Sequence, residues 1–141
     1  MNHNIQDNKS IYRRFCEQAF NRHDYSVVDE LVSPDVVSHD PLPGQPAGAE
    51  GLKQTLQVFH TAFPDLHADI EDLIAEDDKV MARVRVTGTH KGEFMGQKAT
   101  GHALAYPEVV TVRIRDGRIV EHWSVADTAP LREAVGLVPA G

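Results

Sequence analysis

Residues 106–127, YPEVVTVRIRDGRIVEHWSVAD, hold the signal on which the fold turns. An Asp-Gly pair, Asp116-Gly117, separates two runs of alternating apolar and polar residues, the strongest short-range mark of a β-hairpin. With a two-residue loop, Arg115 faces Arg118. Counting back then pairs Ile114 with Ile119, Val112 with Glu121, Val110 with Trp123, Glu108 with Val125 and Tyr106 with Asp127. The face carrying those pairs is mostly apolar and must turn inward to be buried. That register brings Tyr106, Glu108 and Asp127 together at the inner edge of a sheet and puts His122 on the outer face. Pro107 has no N–H for a ladder and is expected to mark a bulge near Tyr106.

Outward from the hairpin, Leu66, Ala68 and Ile70, then Val80, Ala82, Val84 and Val86, alternate with polar neighbours, the period of strands with one wet face. The stretch Glu76-Asp77-Asp78-Lys79 reads as a turn between them, and Gly88 to Gly96 as a glycine-punctuated loop. Upstream the period is helical. Ile11, Tyr12, Phe15, Cys16, Ala19 and Phe20 stripe one face from about Asn8 to Arg22. Asp24 can cap a second helix carrying Val27, Val28 and Leu31, which Ser33-Pro34 stops. A third stripe, Leu52, Leu56, Phe59 and Phe63, follows Gly48 and ends at Phe63-Pro64, because the residue before proline resists the helical region. Between the second and third helices lies a short extended piece, Val36 to His39. Helices followed by consecutive antiparallel strands indicate an α+β fold.

The 141 residues suit one domain spanning 1–141, large enough to bury a core and a pocket. The formal charge of −7 opposes nucleic acid and anionic lipid as partners. No run reaches the ~20 apolar residues of a membrane span, and Met1-Asn2-His3-Asn4 lacks the features of a signal peptide, so a cytoplasmic location is expected. The single cysteine, Cys16, falls on a helix core face and reads as packing.

Candidate chemistry centres on carboxylates, since an apolar setting raises a carboxyl pKa toward a useful base. Trp123 and Val125 would wall Asp127 in this register. Asp127 can equally cap a final short helix, which would make it a poor base, and Thr128 can serve as that cap equally well, placing Pro130 in the first turn. Glu108 can act with Asp127 or pair with Arg83 or Arg85. Tyr106 can hold a carbonyl or enolate oxygen or simply pack. His39 stands at a pocket rim or in a solvated loop. Among eight histidines there is no HxxxH or HExxH, and no cysteine pair, so no metal is expected. No lysine falls on the inner face of the hairpin and no GxGxxG or P-loop appears, so neither a Schiff base nor a nucleotide cofactor is expected.

The segments Asn21-Arg22-His23-Asp24, Val37-Ser38-His39-Asp40, Phe63-Pro64-Asp65, Gly88 to Gly96, and Asp116 to Trp123 followed by Asp127 together resemble the SnoaL-like polyketide cyclases of the NTF2-like superfamily. The resemblance implies a cone: three N-terminal helices packed on a curved antiparallel sheet around a hydrophobic pocket. It also implies cofactor-free intramolecular aldol condensation, with an aspartate after the tryptophan of the last strand as acid/base, a position Asp127 occupies. The expected substrate is small and hydrophobic or polycyclic, held by Phe59, Phe63, Tyr106, Trp123 and His39. The alternatives are a dehydratase, isomerase or hydrolase on the same scaffold, or a ligand-binding module without chemistry. The mixed outer sheet face points to a homodimer.

Overall fold

The computed structural model describes residues 5–137, so the polar start Met1 to Asn4 lies outside the described residues. The first helical stretch is α1 (Ile5–Arg14), which widens without a break into a π-helical segment, Phe15–Asn21. Next comes α2 (Ser26–Leu31), where Asp24 accepts the Ser26 backbone N–H at 3.1 Å. Strand β1 (Val32–Ser38) starts earlier than the extended piece read from sequence and carries Pro34 within it. Helix α3 (Gly48–Ala62) stops one residue short of Phe63-Pro64, as the proline demands.

Four long strands follow, β2 (His67–Glu76), β3 (Lys79–Thr89), β4 (Ala103–Arg115) and β5 (Arg118–Ala126), and α4 (Ala129–Ala134) comes last. The sheet order is β1-β5-β4-β3-β2. The alternation in β3 is realised as expected, with Val80, Ala82, Val84 and Val86 buried and their neighbours outside. The antiparallel expectation holds for β2 to β5, but β1 lies parallel to β5. No hairpin joins these two distant segments, so strand direction follows from where α2 delivers the chain. Among the described residues no helix is long and apolar enough to cross a membrane.

The edge strand β2 is tied to the end of the π-helical segment. The Asn21 side chain donates to the Ala68 carbonyl at 3.1 Å and accepts the Ala68 N–H at 2.8 Å, satisfying both backbone groups at the sheet edge.

The hairpin register needs a correction. Arg115 faces Arg118 and Ile114 faces Ile119 as expected, but Arg113 then pairs with Glu121, leaving Val120 as an extra residue. Beyond this bulge Val112 pairs with His122, Val110 with Ser124 and Glu108 with Ala126. A one-residue slip moves every later side chain to the opposite face. His122 and Ser124 therefore turn inward, while Trp123 and Val125 turn outward, Val125 being 73 % exposed. Charge explains the choice. In the unbulged register Glu121 would face Val112 inside, a buried carboxylate without a partner. In the bulged one it receives the Arg113 guanidinium at 2.8 Å, and Arg113 also reaches Asp78 at 2.9 Å. Pro107 does not break the β3–β4 ladder, where it pairs with Arg85.

Candidate active site

Between the sheet and the helices lies a cavity of about 130 Å³. The sheet contributes Ala68, Val84, Tyr106, Glu108, Val110 and His122 as its floor. The π-helical turn and its approach provide one wall through Tyr12, Phe15, Cys16 and Phe20. The opposite wall is α3, with Leu52, Thr55, Leu56 and Phe59. Widened helical turns recur at functional sites, and here one places Phe15, Cys16 and Phe20 together on the cavity.

Among the described residues, Glu108 is the only charged one on this lining apart from the titratable His122. Neither arginine considered for it is its partner: Arg83 turns outward to Asp72 at 2.6 Å, and Arg85 is exposed on the outer face. The Ser124 hydroxyl instead donates to Glu108 Oε2. Burial pushes the Glu108 carboxyl above the ordinary range, and the Ser124 hydrogen bond offsets part of that rise. Tyr106, two residues along the same face, has its hydroxyl pKa raised by burial and further by Glu108. The Tyr12 hydroxyl is raised by burial, with Cys16 and Glu108 adding to it. Both phenols stay protonated and can donate. Burial lowers the His122 pKa, the Asp40 carboxylate opposes that shift and His39 reinforces it, so the ring is neutral near pH 7. The Cys16 thiol is pushed up to about 12, first by burial and then by nearby carboxylates, which leaves it protonated and inert as a nucleophile.

Of the expected site residues, Glu108, Tyr106 and Phe59 meet on this cavity. Asp127 stands exposed beyond the end of β5. Its Oδ1 accepts the Ala129 N–H at 3.2 Å at the start of α4, and its own N–H donates to the Pro107 carbonyl at 3.3 Å. Phe63 is fully buried beside the cavity lining, packing on His90 and Phe94. Trp123 lies on the outer sheet face, its ring stacked on His39 at 4.6 Å and 3°. His39 Nε2 also contacts Glu121 at 2.9 Å, so His39 joins the outer network of Glu121, Arg113 and Asp78. His122 and Ser124 were not read from sequence as pocket residues. The signal that could have found them was Glu121, a carboxylate with an arginine opposite only in the bulged register. Among the described residues no three His, Cys, Asp or Glu side chains converge as a metal-binding set.

The model of one protein family, described as SnoaL-like polyketide cyclase, matches residues 10–135. Aklanonic acid methyl ester cyclase DauD of Streptomyces sp. (strain C5) is 26% identical over 98 residues, covering 68% of this chain and 58% of that protein. The corresponding cyclase DnrD of Streptomyces peucetius is 27% identical over 95 residues, covering 66% of this chain and 63% of that protein. The chain thus spans less than two-thirds of the length of these relatives. Among solved structures, AclR of Streptomyces galilaeus, a proposed hydroxylase, superposes with a TM-score of 0.83 at 33% identity over 96% of this chain and all of that one. IdmH of Streptomyces antibioticus, a proposed polyketide cyclase, gives 0.79 at 34% identity over 92% and 98%.

Proposed function

We propose a reaction on one premise: the chain belongs to the SnoaL-like polyketide cyclase family. The reaction is cofactor-free closure of a carbon ring by intramolecular aldol addition, with Glu108 moving the proton. The observation that carries this reading is an inward carboxylate, raised in pKa by burial and, among the described residues, engaged by no cation. A carboxylate meant only for structure would be neutralised by a salt bridge, as Glu121 is by Arg113.

Ionised Glu108 removes a proton from a carbon next to a carbonyl, leaving an enolate whose oxygen accepts hydrogen bonds from the Tyr106 and Tyr12 hydroxyls. The enolate carbon attacks a second carbonyl of the same molecule and forms the new C–C bond. The resulting alkoxide takes the proton back from Glu108, which returns to its carboxylate. Atoms balance within one molecule and the mass is unchanged. The raised carboxyl pKa makes Glu108 a stronger base than an ordinary glutamate, and the apolar walls hold the reacting carbons together. Asp127, at the surface, holds the Ala129 N–H at the start of α4 in this account.

The names of DauD and DnrD support a cyclase reading, and AclR favours a second one, hydroxylation. Product mass separates them. Heptane-2,6-dione is a minimal substrate because attack of its terminal methyl carbon on the far carbonyl closes a six-membered ring, 3-hydroxy-3-methylcyclohexanone, at constant mass. Its enzyme-dependent appearance supports ring closure. Loss of water as the enzyme's own step would mark a dehydratase, and a gained oxygen atom a hydroxylase. No turnover of this dione would count against Glu108 as an aldol base. We further propose that the protein works as a cytoplasmic homodimer through its outer sheet face, where Ile74, Met81, Val109 and Val125 are exposed.

A further inference from the structure

Strand β1 runs beside β5 as far as the pairing of Ser38 with His122, and the His39 N–H then donates to the His122 carbonyl at 2.9 Å. There the chain leaves the sheet for the proline-rich loop. In a continued parallel ladder the next donor on that side of β5 is the Ser124 N–H. The Asp40 side chain takes it instead, its Oδ2 accepting that N–H at 2.8 Å. Ser124 is thus fixed by its backbone just past the end of β1. On the inner face it is the diagonal neighbour of Glu108, since Val110 pairs with Ser124 and Glu108 with Ala126, and its hydroxyl donates to Glu108 Oε2. Among the described residues Glu108 Oε1 accepts no hydrogen bond, so one carboxylate oxygen is held and the other is left for a ligand.

We propose that Asp40 and Ser124 are positioning residues for Glu108, Asp40 by fixing the Ser124 backbone and Ser124 by holding Oε2 so that Oε1 is presented to the substrate. This deepens the reading given above and rests on it for the chemistry alone. A glutamate side chain is long and flexible, and a misplacement of about 1 Å at a reacting group can cost on the order of 10²-fold in rate. The Ser124 hydrogen bond also favours the ionised carboxylate against the burial that opposes it. Asp40 could act in two ways, and they have opposite signs. Through Ser124 it favours ionised Glu108, whereas its negative charge acting across space would oppose that ionisation. The other titratable groups facing Glu108 are Tyr12 and Cys16 from the helical wall, Tyr106 on its own strand and His122 on β5. Among the described residues α3, β2 and β3 bring none to the cavity.

The test follows the Glu108 carboxyl itself, by carbon NMR of protein carrying isotope-labelled glutamate and titrated without substrate. Its signal is the one missing in Glu108→Gln, so titration of His122 is not mistaken for it. Ser124→Ala should raise the Glu108 midpoint by about one pH unit, the scale of a lost hydrogen bond to a charged group, while Ser124→Thr restores it. Below the wild-type midpoint, turnover of heptane-2,6-dione by Ser124→Ala should fall about tenfold, in step with the ionised fraction. Asp40→Ala, at an exposed position, should raise the midpoint by less and add nothing in the Ser124→Ala background. Asp40→Asn should hold the midpoint, because its amide oxygen still accepts the Ser124 N–H. An unmoved midpoint in Ser124→Ala overturns the proposal and leaves the hydroxyl as packing. An unmoved or lowered midpoint in Asp40→Ala, or a shift of equal size in the Ser124→Ala background, overturns it too, and the single Asp40 variant decides even if Ser124→Ala does not fold. The stated shifts without any ring closure support the positioning and overturn the aldol reading, so the two fail separately.

Discussion

Glu108→Gln should abolish most catalysis and at the same time remove a pH-dependent weakness of the fold. Gln has nearly the shape of Glu and can still accept the Ser124 hydroxyl that Glu108 accepts, so the cavity geometry should persist. What is lost is the proton carrier. General acid/base catalysis contributes about 10² to 10⁴ in rate, or roughly 3 to 5 kcal/mol of barrier at about 1.4 kcal/mol per tenfold. The loss should appear in kcat with little change in KM, because the proton moves only on the way to the transition state. Stability provides an independent check. In the unfolded chain this carboxyl ionises near about 4.3, whereas burial raises its value in the folded protein. Between those two values the folded state binds more protons than the unfolded one, so wild-type stability falls as pH rises through that window. The loss is complete above the folded value. Glutamine has no such term, so the Tm of Glu108→Gln minus that of wild type should be near zero around pH 4 and positive at pH 7.5. Gas chromatography of 3-hydroxy-3-methylcyclohexanone and thermal melts over that pH range read both effects. Nearly wild-type turnover by the variant, or a Tm difference that does not grow with pH, would refute the assignment of a buried proton carrier to Glu108.

Asp127→Ala should cost about 0.5 to 1.5 kcal/mol in chemical denaturation, the usual net value of one hydrogen bond, here to the Ala129 N–H, while Asp127→Asn costs less and both keep turnover of the dione; collapsed activity with unchanged stability in Asp127→Asn would return the proton transfer to that residue. His60 is buried, its Nε2 bonded to the Phe20 carbonyl at 2.7 Å and its ring stacked on His23, and burial lowers its pKa. Its contribution to stability is therefore intact above the ordinary histidine value of about 6.5 and declines as pH falls below it toward the lowered folded value. Melts from pH 7.5 to 5 should show that decline shrink in His60→Gln. Gly51→Ala, normally favourable in a helix, should destabilise the protein because an added Cβ would stand 1.6 Å from the Pro46 carbonyl oxygen; a higher Tm than wild type contradicts this packing. Val125→Lys places a charge on the exposed outer sheet face and should convert a dimer to a monomer by light scattering, and a wild type already monomeric at micromolar concentration removes the dimer proposal.

Periodicity carried most of the architecture. The helical stripe ending at Phe20, the stop at Phe63-Pro64 and the alternation of Val80, Ala82, Val84 and Val86 all depend on local backbone preference and on which side of one element is apolar, so they were legible in order along the chain. Tyr106 and Glu108 were placed correctly on the inner face for the same reason, since β4 keeps its alternation without interruption. The other half of the site was not legible this way. One extra residue at Val120 exchanges the faces of β5, turning His122 and Ser124 inward and Trp123 outward, and local hydrophobicity argued for the opposite, because tryptophan and valine look like core. The deciding quantity was nonlocal: Glu121 gains a guanidinium from Arg113 outside and would have none inside. The parallel pairing of β1 with β5, and the forming of a cavity between a π-helical turn, α3 and the sheet, likewise depend on contacts between segments far apart in sequence. The sequence by itself determined which elements form and which carboxylate lies on the inner face of β4. Only the tertiary structure decided which face of β5 that carboxylate meets, because a bulge costs little locally and is selected by the charges it brings together.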